Sequence, residues 1–172
     1  MMRCVLSLLF AMTVGTVAFA AEPPANQPPT VATPSTEGFL ASVAAGNQFE
    51  IDSSKLALER ARSATVKSFA NRLVDEHTSA GARLKEAVSQ AKLPPPPDTL
   101  DAQHQAILDD LKACDAASFD KAYVEAQVQV LRETGDLFRT YATVGDNARI
   151  KRFAQDQLLT SRAHLDDASK LR

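Results

Sequence analysis

The stretch from Thr65 to Lys92 constrains the fold most, because apolar or small residues recur in it every three or four positions. This spacing places them on one face of a helix that buries that face. His77 falls in the same stripe, between Leu73 and Ala80, where the interior of a helical bundle favours an apolar residue. The sequence therefore predicts a long helix with one polar residue on its buried side.

Three further stretches have the same spacing, and capping residues or prolines separate them. The first predicted helix runs from a cap at Ser35 or Thr36 to about Arg62, and the second from a cap at Ser63 to the prolines at 94–97. The third follows a cap at Ser118, with a stripe from Phe119 to Tyr141, and the fourth follows a turn and cap at Gly145 and Asp146, with a stripe from Ile150 to Leu171. Gly46 interrupts the first stripe and predicts close approach of a neighbouring helix.

A shorter helix is predicted in the connection between the second and third long helices, from Leu100 to about Ala113 with a cap at Asp98 or Thr99. Its His104 has polar sequence neighbours, which predicts an exposed side chain. Four long amphipathic helices with a helical crossover segment describe an antiparallel four-helix bundle. No strand pattern accompanies them, so the predicted class is all-α.

Residues 1–20 have the features of a secretory signal peptide: the basic Arg3, an apolar run and an A-x-A site at residues 18–20. The alternative is an uncleaved anchor, but the apolar run barely reaches the roughly 18–20 residues of a membrane span. The sequence predicts an exported protein, periplasmic or secreted, without an integral membrane span after cleavage. Residues 21–35 contain five prolines and predict a disordered tether, which leaves residues 36–172 for the bundle.

Cys114 is the only cysteine after residue 20, so the exported chain is expected to have no internal disulfide. It is predicted to be a half-buried residue at a helix end rather than a reactive thiol. The 19 basic and 21 acidic residues are mixed along the chain without a basic run, which argues against a nucleic-acid partner.

The order and spacing of several segments carry a family resemblance. These segments are Phe39-Leu40, Phe49-Glu50-Ile51, residues 66–77, Phe119-Asp120, Tyr123-Val124, Gln127-Val128, Gly145-Asp146-Asn147, Phe153-Ala154 and His164-Leu165. From Gly38 to Arg172 the chain resembles the DUF4142 family of exported bacterial proteins. The resemblance implies a ferritin-like bundle and export, but no established activity. It also implies two departures, because family members usually have histidine at the position of Leu131 and proline at that of Leu159.

Glu50, His77 and His164 lie in the apolar stripes of three different helices and are the candidate metal ligands, with Gln127 or Tyr123 as possible neighbours. Carboxylate and imidazole ligands suit Fe, Mn, Zn or Cu, and bundle interiors hold such sites. The standard di-iron site needs two Glu-x-x-His pairs. The residue three positions before His77 is Val74 and the one before His164 is Ser161, so the sequence does not predict a di-iron site.

The same residues could instead form a metal-free polar cluster that pairs internally and fixes the register of the helices. Asp75 and Glu76 are predicted to be solvated or paired with Arg72 or Arg83 rather than to be ligands.

Motifs for phosphate binding, thiol redox chemistry, nucleophilic catalysis and zinc proteolysis do not occur in the sequence. The leading interpretation is therefore a non-enzymatic exported protein with an interaction or stress role and an unidentified protein partner. The second interpretation is a metal-binding or redox protein that uses Glu50, His77 and His164.

Overall fold

The computed structural model describes residues 35–172. The predicted signal peptide and all but the last residue of the predicted tether lie outside the described residues. All regular structure in the described range is helical, which confirms the predicted all-α class. The helices are α1 (Thr36–Arg60), α2 (Ala64–Gln90), α3 (Ala102–Ala113), α4 (Phe119–Val144) and α5 (Ala148–Ser169). None of them is both long and apolar enough to cross a membrane.

Side-chain caps start the first two helices as predicted. Ser35 Oγ accepts a hydrogen bond from the Gly38 amide at 3.1 Å, and Ser63 Oγ accepts one from the Val66 amide at 3.3 Å. These bonds satisfy amide groups that have no partner inside the helix. Helix α1 ends at Arg60 rather than at Arg62, because the backbone becomes extended at Ala61.

Two predicted caps are wrong, and a third lacks its side-chain hydrogen bond. Helix α3 is capped by Asp101, whose Oδ1 accepts from the His104 amide at 2.8 Å, and not by Asp98 or Thr99. Ser118 is the N-cap residue of α4, as predicted, but its side chain makes no capping bond. Asn147, rather than Gly145 or Asp146, caps α5, because its Oδ1 accepts from two amides of the first turn. At α3 and α5 several residues with capping side chains stand close together in the sequence.

The four long helices form a ring in which each contacts two antiparallel neighbours, α1 and α5 each packing against α2 and α4. Thr36 at the start of α1 is hydrogen-bonded to Tyr141 near the end of α4. Arg72 near the start of α2 forms an ion pair of 2.6 Å with Asp167 near the end of α5. Helices on opposite corners of this four-helix bundle therefore run parallel.

The connection from α2 to α4 runs the length of the bundle. Residues 93–97 line a groove with Thr36 and Leu40 at the start of α1. Near the other end of α1, the Arg60 guanidinium donates to the carbonyls of Leu111 at 2.8 Å and Lys112 at 2.7 Å, at the end of α3. Helix α3 thus lies along α1 and α4. Cys114 follows it as its half-buried cap residue, as predicted.

His104 is buried, so its predicted exposure is wrong. Only 9% of the residue is exposed, its ring centroid lies 5.4 Å from that of Phe49, and its Nδ1 is 2.8 Å from Asp101 Oδ1. The reason is that His104, Leu108 and Leu111 share the side of α3 that packs inward. The predicted close approach at Gly46 is also wrong, since a Cβ there would lie 3.6 Å from Thr134 Oγ1, an ordinary contact.

The bundle interior consists of two apolar clusters separated by polar residues. The Tyr123 cluster includes Phe49, Phe69, Leu73, Phe119, Tyr123 and Leu131, and the Tyr141 cluster includes Phe39, Leu40, Phe138, Tyr141, Ile150 and Phe153. The polar layer lies between these clusters, and each long helix contributes at least one residue to it. Its residues are Glu50, His77, Thr134, Gln157, Ser161 and His164. The interruptions in the four apolar stripes thus meet at one level of the bundle.

Candidate metal site

A cavity of about 40 Å³ lies in the polar layer, and all four long helices contribute to its wall. Its polar and titratable lining residues are Asn47, Glu50, Glu76, His77, Thr134, Gln157, Thr160, Ser161 and His164. A buried water needs roughly 10–15 Å³, so the space is sufficient for a small polar guest. The three predicted ligands, Glu50, His77 and His164, all line this one cavity.

Glu50 is buried in the cavity wall without a hydrogen-bond partner for either carboxylate oxygen. Only 1% of the residue is exposed. Burial raises the pKa of this carboxyl group from 4.5 to about 8, and the neighbouring Gln127 side chain offsets the rise only in part. Glu50 is therefore mainly protonated at neutral pH, which avoids a buried unpaired charge.

His77 presents an unpartnered ring nitrogen in the same wall. Its Nδ1 lies 3.1 Å from Asn47 Oδ1, an atom that can only accept, so the proton of the neutral ring is on Nδ1. The other nitrogen, Nε2, is buried and has no partner, although the residue as a whole is half-buried. Burial, with smaller electrostatic contributions from His164 and Arg83, lowers the pKa of His77 from 6.5 to about 3. The ring thus has a free lone pair at neutral pH.

His164 faces His77 across the cavity, with a distance of 5.2 Å between the ring centroids. It is 5% exposed, and its Nε2 is hydrogen-bonded to Glu76 Oε2. The predicted pairing of Glu76 with Arg72 or Arg83 is therefore wrong, whereas its side chain does reach solvent, with 42% of it exposed. Arg72, one turn earlier on α2, bonds Asp167 instead, so Glu76 is left to meet His164 one turn before Asp167 on α5.

Gln127 does not line the cavity, but it lies beside Glu50 in a polar contact between α1 and α4. Its Nε2 donates to Ser53 Oγ at 3.0 Å, and its Oε1 is buried without a partner. One turn away, the Tyr123 and Ser54 hydroxyl groups are 2.9 Å apart. These bonds tie the helices together and make Gln127 a neighbour of the site rather than a ligand.

The candidate ligands share a cavity but do not form a ready-made metal site. Within residues 35–172, no group of three His, Cys, Asp or Glu side chains lies close enough together to hold an ion as it stands. Binding therefore requires side-chain rotation around the cavity. Leu131, at the position where the family resemblance places a histidine, also lines the cavity and is 2% exposed.

Sequence reasoning missed three polar members of the wall, Asn47, Glu76 and Thr160, and did not single out Ser161. Ser161 Oγ is buried without a partner and lies opposite Gly135, whose added Cβ would be 3.4 Å away. Four of the five unpartnered buried side-chain atoms in the described residues belong to residues of this cavity. The fold and the site together define a four-helix-bundle protein with a small polar cavity at mid-length.

The chain belongs to the DUF4142 family, described as a domain of unknown function, whose model matches residues 20–171. A search of the curated proteins gives no significant match. Among solved structures, the chain is similar to CopM in its Cu(II)-bound form, with a TM-score of 0.65 and 16% sequence identity. The similarity covers 78% of this chain and 93% of CopM, and at this identity it shows a shared fold.

Proposed function

We propose that this protein is an exported, non-enzymatic helical bundle that binds one divalent transition-metal ion in the cavity of the polar layer. The observation that carries the proposal is the pair of unpartnered ligand groups in one wall, the Glu50 carboxyl and His77 Nε2. Buried polar atoms without partners destabilise a fold by about 1–3 kcal/mol each. A bound ion would satisfy both groups at once.

The available donors determine which ions suit the cavity. Glu50 offers oxygen, and His77 and His164 offer imidazole nitrogen, a set that suits divalent Fe, Mn, Zn or Cu. Sulfur donors do not line the cavity: the three methionines are all in residues 1–12, and Cys114 is at the end of α3. Monovalent copper, which prefers sulfur, is therefore disfavoured. Copper(II) is the first ion to test, because it binds such donors most strongly and because the structure of CopM, of similar fold, is a Cu(II)-bound form.

Protonation states favour His77 as the first interior ligand. Its Nε2 is neutral and unpartnered at pH 7, whereas His164 must first leave Glu76. Glu50 must lose a proton before it can bind an ion, because its pKa is about 8. Ion binding at neutral pH is thus expected to release about one proton per chain.

Export rests on the signal-like pattern of residues 1–20, and a non-enzymatic role on the lack of catalytic motifs in the sequence. The interaction or stress role with a protein partner stays a prediction. It is compatible with metal binding, because an ion that joins three helices can stabilise the surface presented to a partner.

The test is a titration of the chelator-treated, exported protein with Cu(II) and Zn(II) by calorimetry, together with metal analysis after dialysis. We expect one ion per chain, with proton uptake by the buffer, and at least tenfold weaker binding for Glu50→Gln and His77→Leu. His104→Gln is the matched control, because His104 is the remaining histidine of the chain and does not line the cavity.

Leu131→His supplies the opposite test, because it adds an imidazole to the same cavity wall and should tighten binding. Stoichiometric binding that persists in the Glu50 and His77 variants, or no binding by the native protein at micromolar ion, would overturn the proposal.

A further inference from the structure

The most exposed residues that line the cavity lie on α2 and α5. Its lining residues on α1 and α4 are buried or half-buried, and on α5 Thr160 is exposed. On α2, the Glu76 side chain is 42% exposed, and Ala80 is half-buried. The short side chains of Ala80 and Thr160 therefore favour an opening of the cavity where α2 faces α5.

Charged residues of α2 and α5 lie on both sides of this opening. Toward the end of α5, the ion pair of Arg72 with Asp167 joins the two helices at 2.6 Å. In the opposite direction, Arg83 and Asp156 line a separate surface groove between the same helices. Glu76 lies between these two groups, beside the opening.

We infer that a divalent cation enters through the opening between Ala80 and Thr160 and binds Glu76 first, so that Glu76 is the entry ligand of the site. This inference rests on the proposed function. Among the described residues, Glu76 is the cavity-lining carboxylate that also reaches solvent, whereas Glu50 is 1% exposed. One Glu76 oxygen holds His164, and rotation of the carboxylate toward an ion frees the imidazole for coordination.

The charge at the opening supports the assignment. Arg83 is close enough to lower the pKa of His77, so it also opposes the approach of a cation. An exposed carboxylate at the opening counters this repulsion and raises the association rate, as charges at the rim of a binding site do.

Glu76→Gln separates this role from a structural one. A glutamine Oε1 can still accept the hydrogen bond from His164, so the helix contact is kept while the charge is lost. The measurement is stopped-flow association of Cu(II) with the full exported chain, at low and physiological salt. We expect the association rate to fall about tenfold and to lose most of its salt dependence.

Glu86→Gln is the control for the charge change, because Glu86 is an exposed carboxylate of the same helix that does not line the cavity. Its association rate should stay within about twofold of the native rate.

Ala80→Leu tests the route itself without a change of charge. A larger side chain in the opening should slow association and dissociation by similar factors, so that the dissociation constant stays nearly constant. Circular dichroism shows whether Ala80→Leu folds. If it does not fold, the association rate of Glu76→Gln alone tests the entry ligand.

The outcomes distinguish failure of metal binding from failure of Glu76 as the entry ligand. If the native protein binds no ion, the proposed function fails and the entry assignment fails with it. If the native protein binds and Glu76→Gln associates at the native rate, or a folded Ala80→Leu exchanges ions at native rates, only the entry assignment is wrong. Slower association in Glu76→Gln with native behaviour in Glu86→Gln supports it.

Discussion

Glu50 and His77 should shape the pH dependence of stability in opposite ways. The pKa of Glu50 is raised from 4.5 to about 8, so the folded state keeps a proton that the unfolded state loses, and stability falls as pH rises through this window. The pKa of His77 is lowered from 6.5 to about 3, so the unfolded state gains a proton first, and stability falls as pH drops through that window. Between pH 4.5 and 6.5 the two slopes cancel, and we expect a plateau in the free energy of unfolding.

Above pH 6.5 the Glu50 slope stands alone, at about 1.4 kcal/mol per pH unit. From pH 6.5 to about 8, the free energy of unfolding should therefore fall by about 2 kcal/mol. Below pH 4.5 the change in the free energy of unfolding does not come from His77 alone. Exposed carboxyl groups with lowered pKa values, such as those of Asp115 and Asp146, become protonated there and lose stabilising hydrogen bonds.

Glu50→Gln keeps the shape of the neutral side chain and removes its titration. We expect the variant to show no fall between pH 6.5 and 8, so that its advantage over the native protein grows by about 2 kcal/mol across that range. The assay is urea unfolding followed by far-UV circular dichroism, with a chelator present because a bound ion would remove the same proton.

Glu59→Gln is the control, since Glu59 is an exposed carboxylate of α1. A native protein whose stability is constant from pH 6.5 to 8, or a Glu50→Gln variant with the native slope, would refute the reasoning.

Two further predictions concern the packing of the bundle. Gly145→Ala would place a Cβ 2.5 Å from the ring and the carbonyl of Tyr141, a buried residue whose ring stacks on Phe39 at 4.0 Å. Thermal unfolding should therefore show a loss of stability of about 1–3 kcal/mol. Gly46→Ala is the control and should be tolerated, because its Cβ would meet no atom of another helix closer than 3.6 Å. Arg60→Ala removes three hydrogen bonds, to the carbonyls of Leu111, Lys112 and Cys114, and a guanidinium 4.8 Å from the centre of the Phe119 ring. The loss should be about 1–3 kcal/mol in urea unfolding. A loss no larger than that of Arg62→Ala would contradict this account.

The four long helices could be predicted from sequence because periodic apolar residues and caps such as Ser63 agree with one another. The short helix was harder to predict. Asp98, Thr99 and Asp101 can all cap a helix, and the local sequence does not show that Asp101 is the one that does. His104 looked exposed because its sequence neighbours are polar, although its spacing from Leu108 and Leu111 was the signal that placed it inside.

The candidate site was partly predictable for the same reason. Glu50, His77 and His164 each interrupted an apolar stripe, and stripes of a bundle face a common interior. Glu76 was not predicted to belong to it, since its place three residues after Leu73 puts it at the edge of the stripe. Whether an edge residue meets solvent or a partner depends on the rotation of α5, which a single sequence does not determine.

The division of the interior into the Tyr123 cluster and the Tyr141 cluster has a consequence for cooperativity. Each long helix contributes to both clusters, but the layer between them contains polar side chains and a cavity rather than continuous apolar packing. Local opening follows the density of apolar contacts, so the two ends of the bundle can open as separate units. An ion held by side chains from several helices would join these units into one, and the occupied protein would then resist partial unfolding as a whole.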